Sequence, residues 1–441
     1  MSTIVLIDGE HYPQVTARAI DQLKLQGEPV VMALLVGGSE KLGQVALEIG
    51  VPVEVAGEDR EIALAAAIET HHATRVLDLS DEPVLGYVAR CRMASVALFK
   101  GAAYVGADFL FTPPPRPRLC EAPSVAIMGT GKRTGKTAIA GVAARALSGA
   151  GFDPIIVAMG RGGPAEPEVI EAGTSLDAKT LLARVEAGGH GASDHIEDAL
   201  FTGVTTVGAY RAGGGLAGAI SFSNYHQAVA MGNRLKPGLM LLEGSGASIP
   251  PVHSDASVFI IDAQTDPAEV YGYFGLYRLL LADLVVITMV EESIDSQRLL
   301  VLEQAISSGS GSRPKVIHTI FRPTPLGDVS GKKVWYATTA PEEAGPLLTQ
   351  HLEDEHGAKV VGISHSLADR PSLRTELAKV TGVDAFLVEV KAAAVDVVTR
   401  FGLEHGTEVI YCDNRPIDVG SQSLSDEILD VAETAKRRFR L

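Results

Sequence analysis

The stretch that decides the fold runs from Ser124 to Ala150 and reads SVAIMGTGKRTGKTAIAGVAARALSGA. A short apolar run leads into a turn rich in Gly and Lys, and from Lys136 the apolar residues recur at helical spacing. Strand, loop and helix in this order predict a phosphate-binding loop. The usual first Gly of such a loop lies five residues before the Gly of GKT; here Thr130 holds that position, and Gly129 lies one step earlier. An ordinary Gly-rich turn is the alternative.

Seven residues of this loop are predicted to bind the nucleotide. Backbone N–H groups at the helix N-terminus hold phosphate oxygens, and glycines let the backbone turn those groups inward. Lys136 is expected to reach the β- and γ-phosphates, and the Thr137 hydroxyl is expected to ligate Mg²⁺. The predicted nucleotide-binding residues are Gly129, Thr130, Gly131, Thr134, Gly135, Lys136 and Thr137.

The composition indicates a folded α/β protein of two or three domains. The chain has 441 residues, of which 46% are hydrophobic and 21% charged, and aromatic residues make up only 5%. Its net charge of −16 argues against nucleic acid and anionic membranes as partners, and leaves a small anionic substrate at a local basic cluster. Three cysteines without metal-type spacing, no apolar run of membrane length and no basic amino-terminal signal favour a cytoplasmic enzyme. A homodimer is the expected assembly.

Strands and helices alternate along the whole chain, which predicts a Rossmann-like N-terminal α/β domain, a P-loop NTPase domain with a parallel sheet, and a C-terminal α/β region. A proline-rich segment marks the first boundary. The predicted bounds are 1–112, a linker at 113–119, 120–325 and 326–441. Residues 103–111 are expected to form one strand and residues 267–281 one helix. Asp8, Glu10 and His11 follow the first strand, where they serve either a ligand site or the cap of the next helix.

Polar residues outside the loop extend the predicted site. Arg161 follows the second strand of the P-loop domain in a Gly-rich turn, where a guanidinium can contact phosphate. Glu243 ends an apolar strand and is a candidate ligand of Mg²⁺ or water. The Gly-rich region around residues 188–226 carries His190, Arg211 and Asn224. Arg211 fits a phosphate contact or a surface ion pair equally well.

A second interpretation of the same Gly-rich region is a transition-metal site. His190, Asp194 and His195 lie close together in the sequence, although no third ligand follows at a set spacing.

The motif GTxxxxGKT with a later EGxGxxxP is similar to dethiobiotin synthetase, whose corresponding Thr and Glu bind Mg²⁺; here they are Thr137 and Glu243. Longer strings resemble the cyclic 2,3-diphosphoglycerate synthetase family: GTGKRTGKT, MGRGGPAEPE, GASDHIEDALFTGVTTVG and LEGSGASIPPV. That resemblance extends from IDGEHYP at Ile7 to VKAAAVD ending at Asp396. It implies an enzyme that uses ATP, Mg²⁺ and K⁺ to close 2,3-diphosphoglycerate into an intramolecular phosphoanhydride, releasing ADP and phosphate.

This chemistry gives the basic residues their expected roles. A doubly phosphorylated substrate and ATP must meet in an acidic protein, so cations have to neutralise the phosphoryl oxygens. The residues expected to act on the transferring group are Lys132, Arg133, Lys136 and Arg161. The residues expected to bind substrate are Arg161, His190, Arg211 and Asn224.

Two other functions stay open at this stage. One is a carboxylate-activating ligase related to dethiobiotin synthetase. The other is a P-loop GTPase that serves as a metallochaperone, for which the His190, Asp194 and His195 cluster is the supporting feature.

Overall fold

A computed structural model describes residues 2–38, 48–309 and 314–440. Two sheets organise these residues, one of six strands and one of thirteen. Most strand pairs are parallel, and helices pack on the faces, which confirms the predicted α/β fold class. Within the described residues, none of the helices is both long and apolar enough to cross a membrane.

The N-terminal sheet has the strand order β3-β2-β1-β4-β5-β6. The strand and helix bounds of this unit are β1 Thr3–Ile7, α1 Pro13–Leu25, β2 Val30–Leu35, β3 Val53–Val55, α2 Arg60–His71, β4 Arg75–Asp78, α3 Tyr87–Phe99, β5 Ala103–Val105 and β6 Leu110–Phe111. The single strand expected at 103–111 is wrong. A turn in which the Gly106 N–H donates to the Phe109 carbonyl (3.0 Å) folds β6 back antiparallel onto β5.

The large sheet begins with the P-loop strands in the order β11-β10-β8-β12-β7-β13-β14-β15, and β9 pairs with β10. The strand bounds in this half are β7 Ser124–Gly129, β8 Pro154–Gly160, β9 Glu168–Ile170, β10 Thr206–Ala212, β11 Phe222–Ser223, β12 Leu239–Glu243, β13 Ala256–Asp262, β14 Leu284–Thr288 and β15 Lys315–Pro325. The helix bounds are α4 Lys136–Gly149, α5 Ala178–Glu186, α6 Asp194–Thr202, α7 Tyr225–Arg234, α8 Pro267–Tyr271, α9 Gly275–Leu281 and α10 Ser296–Gly309. The strand β7 is buried throughout, in agreement with its apolar sequence.

The helix expected at 267–281 is two short helices, α8 and α9. Gly272 is extended and Tyr273 has a φ of 45°, so the helical hydrogen bonds cannot continue through this point. The break lets α9 pack against α3 of the N-terminal unit, where the Ser95 hydroxyl donates to the Tyr273 carbonyl (3.1 Å).

The same sheet continues into the C-terminal region in the order β15-β19-β18-β16-β17. The bounds there are β16 Lys333–Ala337, a 3₁₀ turn Glu342–Ala344, α11 Gly345–His356, β17 Lys359–Ser364, α12 Arg370–Leu377, β18 Ala385–Glu389, a π-helix Ala394–Thr399, α13 Arg400–Glu404, β19 Glu408–Val419 and α14 Leu424–Phe439. Strands β15 and β19 are antiparallel, from His318 opposite Val419 to Pro325 opposite Cys412. One sheet therefore runs across the predicted boundary at residues 325 and 326.

The last helix returns to the P-loop half. Leu424, Ile428 and Val431 of α14 are buried in the same core as Ile139 and Leu147 of α4. The final segment thus packs on the nucleotide-binding domain although the sequence places it after the C-terminal region.

Candidate active site

The phosphate-binding loop joins β7 to α4. Gly135 has a φ of 91° just before α4, and a Cβ atom there would lie 2.2 Å from Cζ of Phe321, so only glycine fits. The Thr288 hydroxyl donates to the Thr134 carbonyl (2.9 Å) and fixes the loop to β14. Thr288 of β14 and Phe321 of β15 therefore contact the loop from two neighbouring strands.

Lys136 is buried at the start of α4, and its Nζ donates to the Gly131 carbonyl (2.6 Å). Burial lowers the pKa of Lys136 to about 8, an effect that the nearby carboxylate of Glu243 partly offsets. A lysine with so little hydration gains strongly from a polyanion, because phosphate would supply the counter-charge that water does not.

Glu243, at the end of β12, lies against the loop. Its Oε1 accepts a hydrogen bond from the Thr137 hydroxyl (2.9 Å). Its Oε2 and both carboxylate oxygens of Asp198 are buried and have no hydrogen-bond partner among the described residues. Burial and the charge of Asp194 raise the pKa of Glu243 to about 7, and burial and Glu243 raise the pKa of Asp198 well above its usual range. Buried carboxylate oxygens without donors are suited to a divalent cation, and Thr137, Glu243 and Asp198 could hold one.

Two guanidinium groups meet beside the loop that follows β12. A Cβ atom at Gly246 would lie 3.1 Å from a terminal nitrogen of Arg211 and 3.2 Å from one of Arg161. Arg211 is buried, and its Nε has no hydrogen-bond partner in the described part of the chain. Burial and the neighbouring Arg161 lower the pKa of Arg211, so the two like charges favour an anion between them.

A buried arginine on α9 holds the backbone of this region. Arg278 donates from Nη2 to the Ala247 carbonyl (2.7 Å) and the Leu216 carbonyl (3.2 Å), and from Nη1 to the Phe274 carbonyl (2.9 Å). It therefore ties the loop after β12 to the Gly-rich segment after β10, and so positions the surroundings of Arg211.

The other residues predicted for the site differ in exposure and in the contacts that they make. Lys132 and Arg133 are exposed and form no side-chain hydrogen bond or ion pair with the described residues. His190 is exposed, with Nδ1 3.4 Å from the position of a Cβ atom on Gly162, next to Arg161. The buried Asn224 accepts from the Tyr210 N–H (2.7 Å) and donates to the carbonyls of Pro164 and Ala165. Its side chain braces the backbone, so its role as a substrate ligand stays a prediction.

The cluster of His190, Asp194 and His195 does not converge. His195 is buried, with Nε2 3.2 Å from Oε2 of Glu168 and Nδ1 3.0 Å from the Ser193 hydroxyl. The Asp194 carboxylate instead faces Gly160, 3.3 Å from the position of its missing Cβ atom. Among residues 2–38, 48–309 and 314–440, no three His, Cys, Asp or Glu side chains are grouped as a metal site would require.

Asp8 closes the turn after β1. Its carboxylate accepts from the N–H groups of Glu10 (3.0 Å), His11 (3.1 Å) and Asp81 (2.6 Å). Although burial raises its pKa, these bonds and the His11 ring lower the pKa of Asp8 overall.

Comparison with known proteins covers the chain almost from end to end. Profiles described as the N-terminal, P-loop and C-terminal domains of cyclic 2,3-diphosphoglycerate synthetase match residues 2–112, 124–320 and 325–415. The synthetase of Rubrobacter xylanophilus is 46% identical over 99% of this chain and 98% of its own length. The chain belongs to the cyclic 2,3-diphosphoglycerate synthetase family. The synthetase of Methanothermus fervidus is 41% identical over 99% of this chain and 98% of its own length.

Among solved structures, LpxK from Aquifex aeolicus in complex with ATP matches 74% of this chain and 90% of its own, with 12% identity and a TM-score of 0.43. That similarity is too low to support a statement about this chain. Membership of the synthetase family confirms the resemblance expected from the sequence motifs, and with it an ATP-using enzyme with a small-molecule substrate.

One ion pair joins the C-terminal region to α6 and belongs to none of the P-loop motifs. Lys391, which follows β18, lies with Nζ 3.5 Å from Oε1 of the buried Glu197 on α6. Burial raises the pKa of Glu197 to about 8, although the charge of Lys391 opposes that rise. The only sequence signal is the polar pair Glu389 and Lys391 at the end of an apolar strand, the position where ligand sites form in parallel sheets.

Proposed function

We propose that this chain closes 2,3-diphosphoglycerate into cyclic 2,3-diphosphoglycerate at the expense of ATP. The similarity to named synthetases over 99% of the chain carries the proposal. The carboxylate-activating ligase and the metallochaperone lose their support because all three domains match the synthetase, and the dethiobiotin synthetase motif covers the P-loop part alone.

Two displacements at phosphorus account for the products. An oxygen of one substrate phosphate attacks the γ-phosphorus of ATP, and ADP leaves. An oxygen of the second substrate phosphate then attacks the activated phosphorus, forming the ring P–O–P bond, and inorganic phosphate leaves with the former bridging oxygen. Because both substrate phosphates are on adjacent carbons, the second step is favoured by proximity.

Different side chains are assigned to ATP, to the substrate and to the metal ion. Lys136 and the N–H groups of residues 129–137 hold the β- and γ-phosphates of ATP. Arg161 and Arg211 hold the substrate phosphate that faces the γ-phosphorus, where their paired charges stabilise the transferring group. Thr137 and Glu243, with Asp198, would hold Mg²⁺. Bound there, Mg²⁺ would neutralise phosphoryl oxygens and favour the ionised forms of the two carboxyls.

Lys132 and Arg133 complete the proposed cation set. They lie on the exposed side of the loop, where they can approach phosphates that project from it. His190 is placed beside Arg161 as a further substrate contact. We also propose a K⁺ requirement, a homodimer and a cytoplasmic location; the net charge of −16 supports an enzyme that binds neither nucleic acid nor anionic membranes.

The test is direct detection of the product. The purified chain is incubated with ATP, MgCl₂, KCl and 2,3-diphosphoglycerate, and ³¹P NMR is used to follow the two substrate phosphates, ADP and inorganic phosphate. We expect a new pair of phosphoanhydride signals in step with ADP and phosphate, and none with 3-phosphoglycerate, which has a single phosphate. ADP formation with another acid, together with an acyl phosphate trapped by hydroxylamine, would contradict the proposal and favour the ligase.

A further inference from the structure

The direction of the strands brings the C-terminal region to the active site. Glu389, the last residue of β18, is paired with Cys412 of the parallel strand β19. From Cys412 onward, β19 runs along β15 toward His318, which is the end of β15 that belongs to the P-loop half. The chain that leaves β18 therefore heads toward the P-loop domain, and Lys391 is its second residue.

The turn that carries Lys391 is held rigidly. Glu389 is buried and accepts hydrogen bonds from the hydroxyls of Tyr336, Thr338 and Thr339. Ala392 has a φ of 47°, a left-handed conformation that costs a non-glycine residue about 1–2 kcal/mol, and a π-helix begins at Ala394. Such backbone features are enriched at functional sites.

The turn docks on the segment that leads into α6. A Cβ atom at Gly191 would lie 3.0 Å from Val395 of the π-helix, so the two segments are in direct contact. The contact places Lys391 beside Glu197, which is one residue before Asp198.

The charge of Lys391 extends to the phosphate site. Burial raises the pKa of Asp194, and the charges of Lys136, Lys391 and Arg211 oppose that rise. Lys136, Lys391 and Arg211 are therefore all within electrostatic range of one carboxylate, that of Asp194. The side chain of Lys391 is only half-buried, so its ammonium group can exchange the contact with Glu197 for one with a ligand.

The substrate needs a further cation. Each phosphate of 2,3-diphosphoglycerate carries about 1.5 to 2 negative charges at neutral pH, and a carboxylate adds another. In the proposed function, Arg161 and Arg211 bind one substrate phosphate, and Lys136 binds ATP. Lys132, Arg133 and His190 are exposed, so none of them supplies a buried positive charge to the second phosphate or the carboxylate.

We propose that Lys391 is a substrate-binding residue, which exchanges its contact with Glu197 for the phosphate of 2,3-diphosphoglycerate that does not receive the γ-phosphoryl group. The C-terminal region thus supplies the cation that holds the attacking phosphate. This assignment rests on the proposed function, because it concerns the substrate of the same site.

The test compares K391M with K391R and with R400M. Arg400 is the matched control, because it is also a cation of the C-terminal region that pairs across the interface, with Nη1 2.8 Å from Oε1 of Glu186. Loss of a charge-assisted hydrogen bond predicts a rise of about 10- to 100-fold in the KM for 2,3-diphosphoglycerate in K391M. We expect the KM for ATP to change less than about threefold, K391R to recover most of the affinity, and R400M to behave as the wild type.

Three outcomes would overturn the assignment: an unchanged KM for 2,3-diphosphoglycerate in K391M, equal increases in both KM values with a fall in Tm, or the same change in R400M. Binding of 2,3-diphosphoglycerate, measured by calorimetry with ADP and Mg²⁺, supplies a second readout that needs no turnover. If the wild type binds the diphosphate but forms no cyclic product, the proposed function fails, while weaker binding by K391M alone still supports the assignment.

Discussion

Replacement of Lys136 by Met is expected to remove activity and at the same time to stabilise the ligand-free protein. Burial lowers the pKa of Lys136 from 10.5 to about 8. At 1.36 kcal/mol for each pKa unit, the folded protein loses about 3 kcal/mol by keeping this side chain charged at neutral pH. Removing the Nζ donor leaves the Gly131 carbonyl without that hydrogen bond, which costs about 1 kcal/mol. K136M should therefore be more stable than the wild type by about 2 kcal/mol.

The sign of the pH dependence follows from the same shift. The folded protein releases the Lys136 proton near pH 8, whereas the unfolded chain keeps it up to 10.5, so the unfolded state binds more protons between these values. Wild-type stability gains from this group as the pH rises through that window, and K136M lacks the gain. The advantage of K136M should therefore shrink by about 2 kcal/mol between pH 7 and pH 9.5.

Urea denaturation of both proteins at the two pH values measures these differences, and ADP release measures activity. We expect turnover to fall by at least about 100-fold in K136M, as is typical when a group that stabilises the transition state is removed. The control is K332M, which loses a surface ion pair with Glu408 and should change stability by less than about 1 kcal/mol. A K136M protein that is less stable than the wild type at pH 7, or that retains turnover, would refute the reasoning.

Three further changes test other parts of the site. E243Q should require a several-fold higher Mg²⁺ concentration for half-maximal activity, because a charged ligand becomes neutral; an unchanged Mg²⁺ titration would assign the metal to other carboxylates. R278M should raise the KM for 2,3-diphosphoglycerate more than the KM for ATP, because Arg278 holds the loops around Arg211; equal changes in the two KM values would argue for a general loss of structure. E168Q should lower the free energy of unfolding at pH 7 by about 2 kcal/mol, because hydrogen bonds from His195 and Arg184 hold the pKa of Glu168 at about 2. This difference between the variant and the wild type should shrink as the pH falls below 4.5. Urea denaturation of both proteins at pH 7 and pH 4 will show whether it does.

The parts of the site that local sequence could predict are those built on one strand–loop–helix unit. The loop from Gly129 to Thr137 and the acid at the end of β12 each have a pattern that depends on residues close by in the chain. Parallel pairing of β12 with β7, with Glu243 opposite Ile127, then brings the acid to the loop without further information. For this reason Thr137 and Glu243 are found in contact, as the motif predicts.

The parts that the sequence could not predict depend on which elements pack together. Asn224 lies in a polar, Gly-rich segment and resembles a ligand residue, but its amide is used for three hydrogen bonds to backbone groups. Glu197 and Lys391 become neighbours only because β19 pairs antiparallel with β15, which turns the second half of the sheet around. The residues that flank Glu197 and Lys391 in the sequence form no pattern that would predict this contact.

This reversal has a chemical consequence for the proposed reaction. A substrate carrying a transferred phosphoryl group must react with its own second phosphate rather than with water, so the attacking group has to be held while solvent is kept away. In a single parallel sheet, the carboxyl edge opens to solvent beyond the last strand residues. Here the chain that leaves β18 points back toward the P-loop, and α6 contacts both sides, since it packs on α4 and its buried Glu197 pairs with Lys391. Under the proposed assignment, the two halves of one sheet hold the two phosphates of one substrate, with ATP at Lys136 and the attacking phosphate at Lys391.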